Sequence, residues 1–217
     1  ALTIASADGV IAAVDARTGK DVWRAMLKEP LSAGVGSDGR FAAVVSSANE
    51  LIVLDSGRER WRYRLTAQVF TSPLVAGSRV FVLTADHGVI AFDASNGKIL
   101  WSQQKTGENL VLRQSGVLIT VGNTLVTGIS GRLIGLNPDN GVVRWSVPLS
   151  IPRGTNDIER LVELVGKASR IKNSVCVRSF QTAVGCIDVS RGMVVWIQKA
   201  NGVDGVDGDS LQLCGSE

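Results

Sequence analysis

Short apolar runs broken at close intervals by Gly, Asn, Asp and Ser fill the chain from end to end. No long stretch repeats apolar residues at helical spacing, so the pattern predicts strands joined by tight turns. The clearest unit is His87 to Trp101, HGVIAFDASNGKILW. A polar turn at Asp86-His87-Gly88 leads into Val89 to Phe92. Asp93 and Gly97 then mark a second turn, and another apolar run closes at Trp101. Asp93 can fold its carboxylate onto backbone N–H groups of that turn, and Gly97 can take the positive φ that residues with a Cβ resist. His87, the single histidine, reads as a solvated turn residue.

The same unit recurs at Gly9–Trp23, Glu50–Trp61, Gly131–Trp145 and Ala183–Trp196, and all 5 tryptophans occupy its closing position. The step from Asp or Asn to Trp is eight residues from Asp15, Asp93, Asn137 and Asp188, and six from Asp55. Successive tryptophans stand 38, 40, 44 and 51 residues apart. That period suits one four-stranded antiparallel sheet per repeat, so the predicted fold class is all-β, a β-propeller of four-stranded antiparallel blades. One repeat cannot bury both faces of its sheet. The indoles are therefore expected to pack between neighbouring blades.

The blades fall at about 1–28, 31–66, 70–105, 110–149 and 158–199, with a partial blade at 202–217. Pro73 suits a strand start. We expect a single propeller domain over 1–217, incomplete at both ends, because five blades and two fragments do not obviously close a ring and open edges invite aggregation. The start at Ala1 without a methionine or signal peptide points to a processed or trimmed form.

With 217 residues, 45% of them apolar, the chain can bury a large core. The net charge of +3 is dispersed, leaving no basic stripe for nucleic acid. No apolar run approaches the roughly 20 residues of a membrane span. No phosphate loop or Gly-x-Ser-x-Gly elbow is present, and nothing assembles a nucleophile, base and oxyanion site. No cofactor is expected. Asp204, Asp207 and Asp209 in DGVDGD miss the calcium-loop spacing and read as a polar turn. Cys176 and Cys186 flank a turn near Gln181. They pair as a cross-strand disulfide if those strands form a hairpin in an oxidising compartment, or stay two small buried thiols. Cys214 is left over.

The longer intervals between tryptophans locate two insertions, Thr106 to Arg113 (TGENLVLR) and Ser150 to Leu164 (SIPRGTNDIERLVEL). Insertions on one face of a repeat array are where binding is usually placed. In the first, Leu110 and Leu112 alternate about Val111 and precede Arg113. In the second, Asn156 three before Glu159 makes a weak capping box with Ile158, Leu161 and Val162 at helical spacing. Its alternative reading is a helical turn that covers a sheet edge.

The repeat resembles the PQQ-type propeller repeat, which implies fold and not function. PRGTNDIERL (Pro152 to Leu161) resembles a characteristic loop of the BamB family of outer-membrane assembly lipoproteins, and NLVLR (Asn109 to Arg113) resembles that family's exposed BamA-contact loop. The tail NGVDGVDGD is similar to the start of that family's next blade. The resemblance implies an eight-bladed propeller held by an N-terminal lipid at the periplasmic face of the outer membrane of a Gram-negative bacterium. It implies a non-enzymatic subunit of the BAM complex that binds BamA POTRA domains and aids insertion of β-barrel proteins, with unfolded clients as further partners. The contact residues it implies are Leu110, Leu112 and Arg113, and Glu163 as the first of two acidic residues. The second acidic position holds Val165, and the lipid-bearing cysteine would precede the point where this chain begins. The rival readings are a PQQ-dependent dehydrogenase, whose vicinal Cys-Cys pair this sequence lacks, and a propeller scaffold for another periplasmic partner.

Overall fold

The structure, a computed structural model, describes residues 1–104, 113–150, 163–209 and 212–215. The chain divides into two compact units, Ala1–Lys105 and Thr106–Glu217. The described residues contain strands and turns, without a helix.

The first unit opens with a three-stranded sheet of β1 (Leu2–Ala5), β2 (Val10–Val14) and β3 (Asp21–Met26). The next sheet runs in the order β4 (Gly36–Ser37), β5 (Phe41–Val45), β6 (Glu50–Asp55) and β7 (Arg58–Arg64). A third follows with β8 (Leu74–Ala76), β9 (Arg79–Leu83), β10 (Val89–Asp93) and β11 (Ile99–Gln103). Pro73 stands just before β8, as expected for a residue without an N–H to give a ladder. The inner strand of the second sheet is far shorter than the run LSAGVGSDG suggests. Gly36 passes against the Pro73 backbone, leaving no room for a Cβ, and only Gly36 and Ser37 pair with β5.

In the second unit, β12 (Leu118–Val121), β13 (Thr124–Ile129), β14 (Arg132–Leu136) and β15 (Val143–Pro148) form one meander. The sheet of β16 (Leu164–Ile171), β17 (Ser174–Ser179), β18 (Ala183–Asp188) and β19 (Met193–Lys199) comes next. A two-stranded piece, β20 (Asp207–Gly208) and β21 (Leu213–Cys214), completes it. Every pairing is antiparallel. The central strands β5, β6, β10 and β17 are buried on both faces, which is why they read as continuous apolar runs.

The turn between third and fourth strands is built as its residues dictate. Asp93 Oδ1 accepts from the N–H groups of Ser95 (2.8 Å) and Asn96 (3.2 Å), and the Gly97 N–H donates to the Asp93 carbonyl at 2.9 Å. Gly97 has φ +73°. Asp15 and Asp188 repeat the device on Arg17 and Thr18 and on Ser190 and Arg191, and Asn137 repeats it on Asp139. Hydrogen bonds hold all three carboxyls below the usual carboxylate range: from the Thr18 backbone first for Asp15, from the Ser95 hydroxyl first for Asp93, from the Ser190 hydroxyl first for Asp188. A carboxyl whose folded pKa is depressed adds stability above its unfolded pKa of about 3.9, and that stability is lost as pH falls through the folded value. Thermal midpoints should therefore hold steady above about pH 5 and fall below about pH 4. The triple variant D15N/D93N/D188N should fall less steeply, since Asn137 caps its turn with an amide oxygen. Superimposable acid limbs for the two proteins would refute this reading of the turns.

The tryptophans pack forward onto these turns. A Cβ added at Gly57 would lie 2.8 Å from the Trp23 indole, one at Gly97 2.7 Å from Trp61, and one at Gly192 2.6 Å from Trp145. Each indole thus lies flat against the turn glycine of the next repeat, where only glycine leaves room. Trp101 is buried against Phe81, with ring centroids 6.0 Å apart. Trp196 is 39% exposed. In all five outer strands the ladder slips by one position just before the tryptophan. Val22, Arg60, Leu100, Arg144 and Val195 are the bulged residues.

His87 also departs from the expectation. Its turn has φ +62° but the residue is only 7% exposed. The neighbouring Ala85 N–H donates to the Gln68 carbonyl, so the connection into the third sheet lies against this turn.

Candidate functional site

In each meander the connection leaving the fourth strand emerges at the same end as the turn between second and third strands. The Asp-Gly turns lie at the opposite end. Hydrogen bonds fasten connections to the turns between second and third strands, as from Leu149 N–H to the Gly131 carbonyl and from Phe180 N–H to the Glu163 carbonyl. Both insertions are connections of this kind, and both belong to the second unit. Leu110, Leu112 and the expected helical turn at 156–162 lie outside the described residues.

Arg113 is described and exposed. Three residues on, Gly116 forms an antiparallel bridge with Val165, and the Gly166 N–H donates to the Ser115 carbonyl at 2.7 Å. The exits of the two insertions are therefore zipped together. Because the pairing is antiparallel and Glu163 also precedes the bridge, Arg113 and Glu163 extend to opposite sides of it. The structure puts them on one zipped element without bringing them into one contact. Glu163 is half-buried beside the turn of β17 and β18. Val165 is 2% exposed and pairs across the ladder with Arg178.

Arg178 is a residue that reading the sequence for function passes over. It is 3% exposed, its Nη1 donates to the Asn201 carbonyl, and its Nε has no acceptor. The signal was there: a cation at an alternate position of the apolar run SVCVRSF. A buried guanidinium keeps its charge and needs acceptors, so Arg178 fixes the 201–202 backbone over this sheet. Gly202 in turn accepts from the Gln181 N–H at 2.9 Å.

Cys176 and Cys186 are register partners on β17 and β18, with Cα atoms 4.0 Å apart and their sulfurs bonded. The disulfide packs with Val184 and Val206, with Leu213 against them. It staples the hairpin whose turn holds Glu163. Cys214 is free and exposed. Asp207 and Asp209 serve their own turn: Asp207 accepts from the Gly208 N–H and pairs with Lys167 at 3.3 Å, and Asp209 accepts from the Gln212 N–H. Among the described residues no group of His, Cys, Asp or Glu could hold a metal ion. The arrangement is a stapled platform presenting loops, chemistry suited to binding.

A family model for outer membrane protein assembly factor BamB matches residues 7–217. Outer membrane protein assembly factor BamB of Burkholderia pseudomallei is 33% identical over 220 residues, covering 100% of this chain and 58% of the relative. That of Bordetella pertussis is 33% identical over 205 residues, 93% of this chain and 53% of the relative. The chain thus spans little more than half the length of these curated relatives. The crystal structure of BamB from Moraxella catarrhalis superposes with a TM-score of 0.81 at 20% identity, over 94% of this chain and 63% of that one. This likeness establishes the fold as a β-propeller of four-stranded antiparallel blades. Quinohemoprotein alcohol dehydrogenase ADHIIG from Pseudomonas putida HK5 gives 0.65 at 14% identity over 91% of this chain and 40% of that one, a likeness of fold alone. Matched across nearly its whole length by the family model, the chain belongs to the family of outer membrane protein assembly factor BamB.

Proposed function

We propose that the protein is a non-enzymatic interaction subunit of the outer-membrane β-barrel assembly machinery. It works at the periplasmic face of the outer membrane, tethered there in full-length form by an N-terminal lipid, and assists insertion of β-barrel proteins. The observation that carries this reading is the family match over residues 7–217, joined by relatives named as outer membrane protein assembly factors. The geometry supports a binding role. Arg113 is exposed at the connection end of its sheet, on an element zipped to the segment that bears Glu163.

The partner in this reading is the POTRA region of BamA, and the contact groups are Leu110, Leu112, Arg113 and Glu163. Apolar anchors beside an arginine suit a small hot spot, since leucines supply burial and a guanidinium can grip a carboxylate with two parallel hydrogen bonds. The variant Leu112→Ala with Arg113→Ala should weaken POTRA binding by about 2 kcal/mol, roughly thirtyfold in Kd, with thermal unfolding nearly unchanged. Wild-type affinity in the double variant, measured by direct titration, would remove these loops from the contact.

A further inference from the structure

Three asparagines in this chain precede a glycine: Asn96, Asn140 and Asn201. That dipeptide can modify itself. The glycine nitrogen, once it loses its proton, attacks the asparagine Cγ, and with no Cβ on the glycine little stands in its way. All three asparagines are exposed, so access to water does not separate them. Their hydrogen bonds do. Gly97 N–H donates to the Asp93 carbonyl at 2.9 Å and Gly141 N–H to the Asn137 carbonyl at 2.8 Å, which ties up the proton that must leave. The side-chain oxygens are held as well: Asn96 Oδ1 accepts from Lys98 N–H at 2.9 Å, and Asn140 Oδ1 from Val142 N–H at 3.0 Å. These two sites are locked by the turns they build.

Asn201-Gly202 is arranged the other way. Among the described residues no acceptor takes the Gly202 N–H and no group holds the Asn201 side chain, while Gly202 stands at φ +142°, an angle that favours glycine. The carbonyl of that same peptide, Asn201 C=O, accepts from Nη1 of Arg178, which is 3% exposed and has Nε without an acceptor. Loss of the Gly202 proton gives an imidate whose negative charge is shared between the nitrogen and the Asn201 oxygen. Gly202 is itself buried, so a guanidinium fixed on that oxygen stabilises the anion with little water to screen it, as donors aimed at a developing oxyanion do in acyl transfer. Arg60, an exposed residue, bonds the Ser95 carbonyl and so falls one peptide short of Asn96-Gly97.

We propose that Asn201 is a self-modification site, primed by Arg178 for deamidation through a succinimide. The Gly202 nitrogen gives its proton to solvent hydroxide and forms a bond to Asn201 Cγ, and the Cγ–Nδ2 bond breaks with release of ammonia. Water then opens the ring at one of its two carbonyls, leaving aspartate or isoaspartate without any transfer of electrons. Arg178 already sits on the α-carbonyl and favours opening there, because the carboxylate that results belongs to isoaspartate and pairs with the guanidinium as a charged acceptor. The main chain is then one methylene longer just ahead of Gly202. Since the Gly202 carbonyl accepts from the Gln181 N–H at 2.9 Å, the change reaches the turn of β17 and β18.

The test is incubation of the intact protein in mildly alkaline buffer beside a sample kept unfolded in denaturant. Proteolysis and mass spectrometry then separate asparagine, aspartate and isoaspartate at all three sites. Unfolded, the three dipeptides should react at similar rates. Folded, Asn201 should react about tenfold faster than when unfolded, the gain from one unit of added acidity at the Gly202 N–H, while Asn96 and Asn140 slow by at least as much. In the variant Arg178→Met, checked for native circular dichroism, Asn201 should lose that gain. A folded Asn201 rate no higher than the unfolded one would overturn the proposal whether or not the variant folds. An unchanged Asn201 rate in a natively folded Arg178→Met protein would overturn it too.

Discussion

Trp61→Ala is expected to lower the unfolding free energy by about 4 kcal/mol, the range for removing a packed indole. The effect has three sources. The indole lies on Gly97 and tilts against Phe92, with ring centroids 5.9 Å apart, so its loss opens a void between two sheets whose backbone cannot collapse freely. Its Nε1–H donates to the Ala94 carbonyl at 2.8 Å, and without it that carbonyl loses this donor. The turn glycine, held at positive φ, then exposes backbone on the side the ring had covered. Trp196→Ala should cost far less, because that ring is 39% exposed. For a chain of this size the first change is worth about 10 °C in thermal midpoint. Circular dichroism through a denaturant titration reads both variants, and equal losses would contradict the wedge role.

The second large effect belongs to the disulfide. Cys176 and Cys186 are ten positions apart, and closing a loop of that size removes chain entropy from the unfolded state worth about 3 kcal/mol. The variant Cys176→Ala with Cys186→Ala, or reduction of the wild type, should lower stability by that amount. Cys214→Ser, at an exposed thiol, should leave it unchanged. The loss should also reach the connection end, because the stapled hairpin supplies the Phe180 N–H that holds Glu163. Unchanged stability on reduction would mean the hairpin is fully ordered in the unfolded ensemble.

Much of this was legible because the sequence states the same device several times. Asp93 and Gly97 announce a turn by their own chemistry, and four repetitions at one spacing leave little room for another reading. The hairpin of the two cysteines was readable too, since both stand five residues from Gln181, which takes φ +52° at its turn. What escaped depends on contacts remote in sequence. The connection at Gln68 is bonded to the turn of His87, Gly36 is squeezed by Pro73, and Arg178 is covered by the 201–202 backbone. The bulge before each tryptophan escaped for another reason. A slipped residue changes no composition and is absorbed by the turn, so alternation counted along one strand does not reveal it.

The same limit applies to the binding surface. The two insertions stood out by their length, yet the bridge of Gly116 to Val165 that joins their exits has no sequence signal. It separates Arg113 from Glu163, which proximity of motif would have paired.

The most direct measurement is calorimetric titration of the protein with the BamA POTRA region. The account predicts saturable one-to-one binding that weakens as salt rises, because the proposed contact includes an arginine. Absence of saturable binding to properly folded POTRA domains at low salt would contradict it.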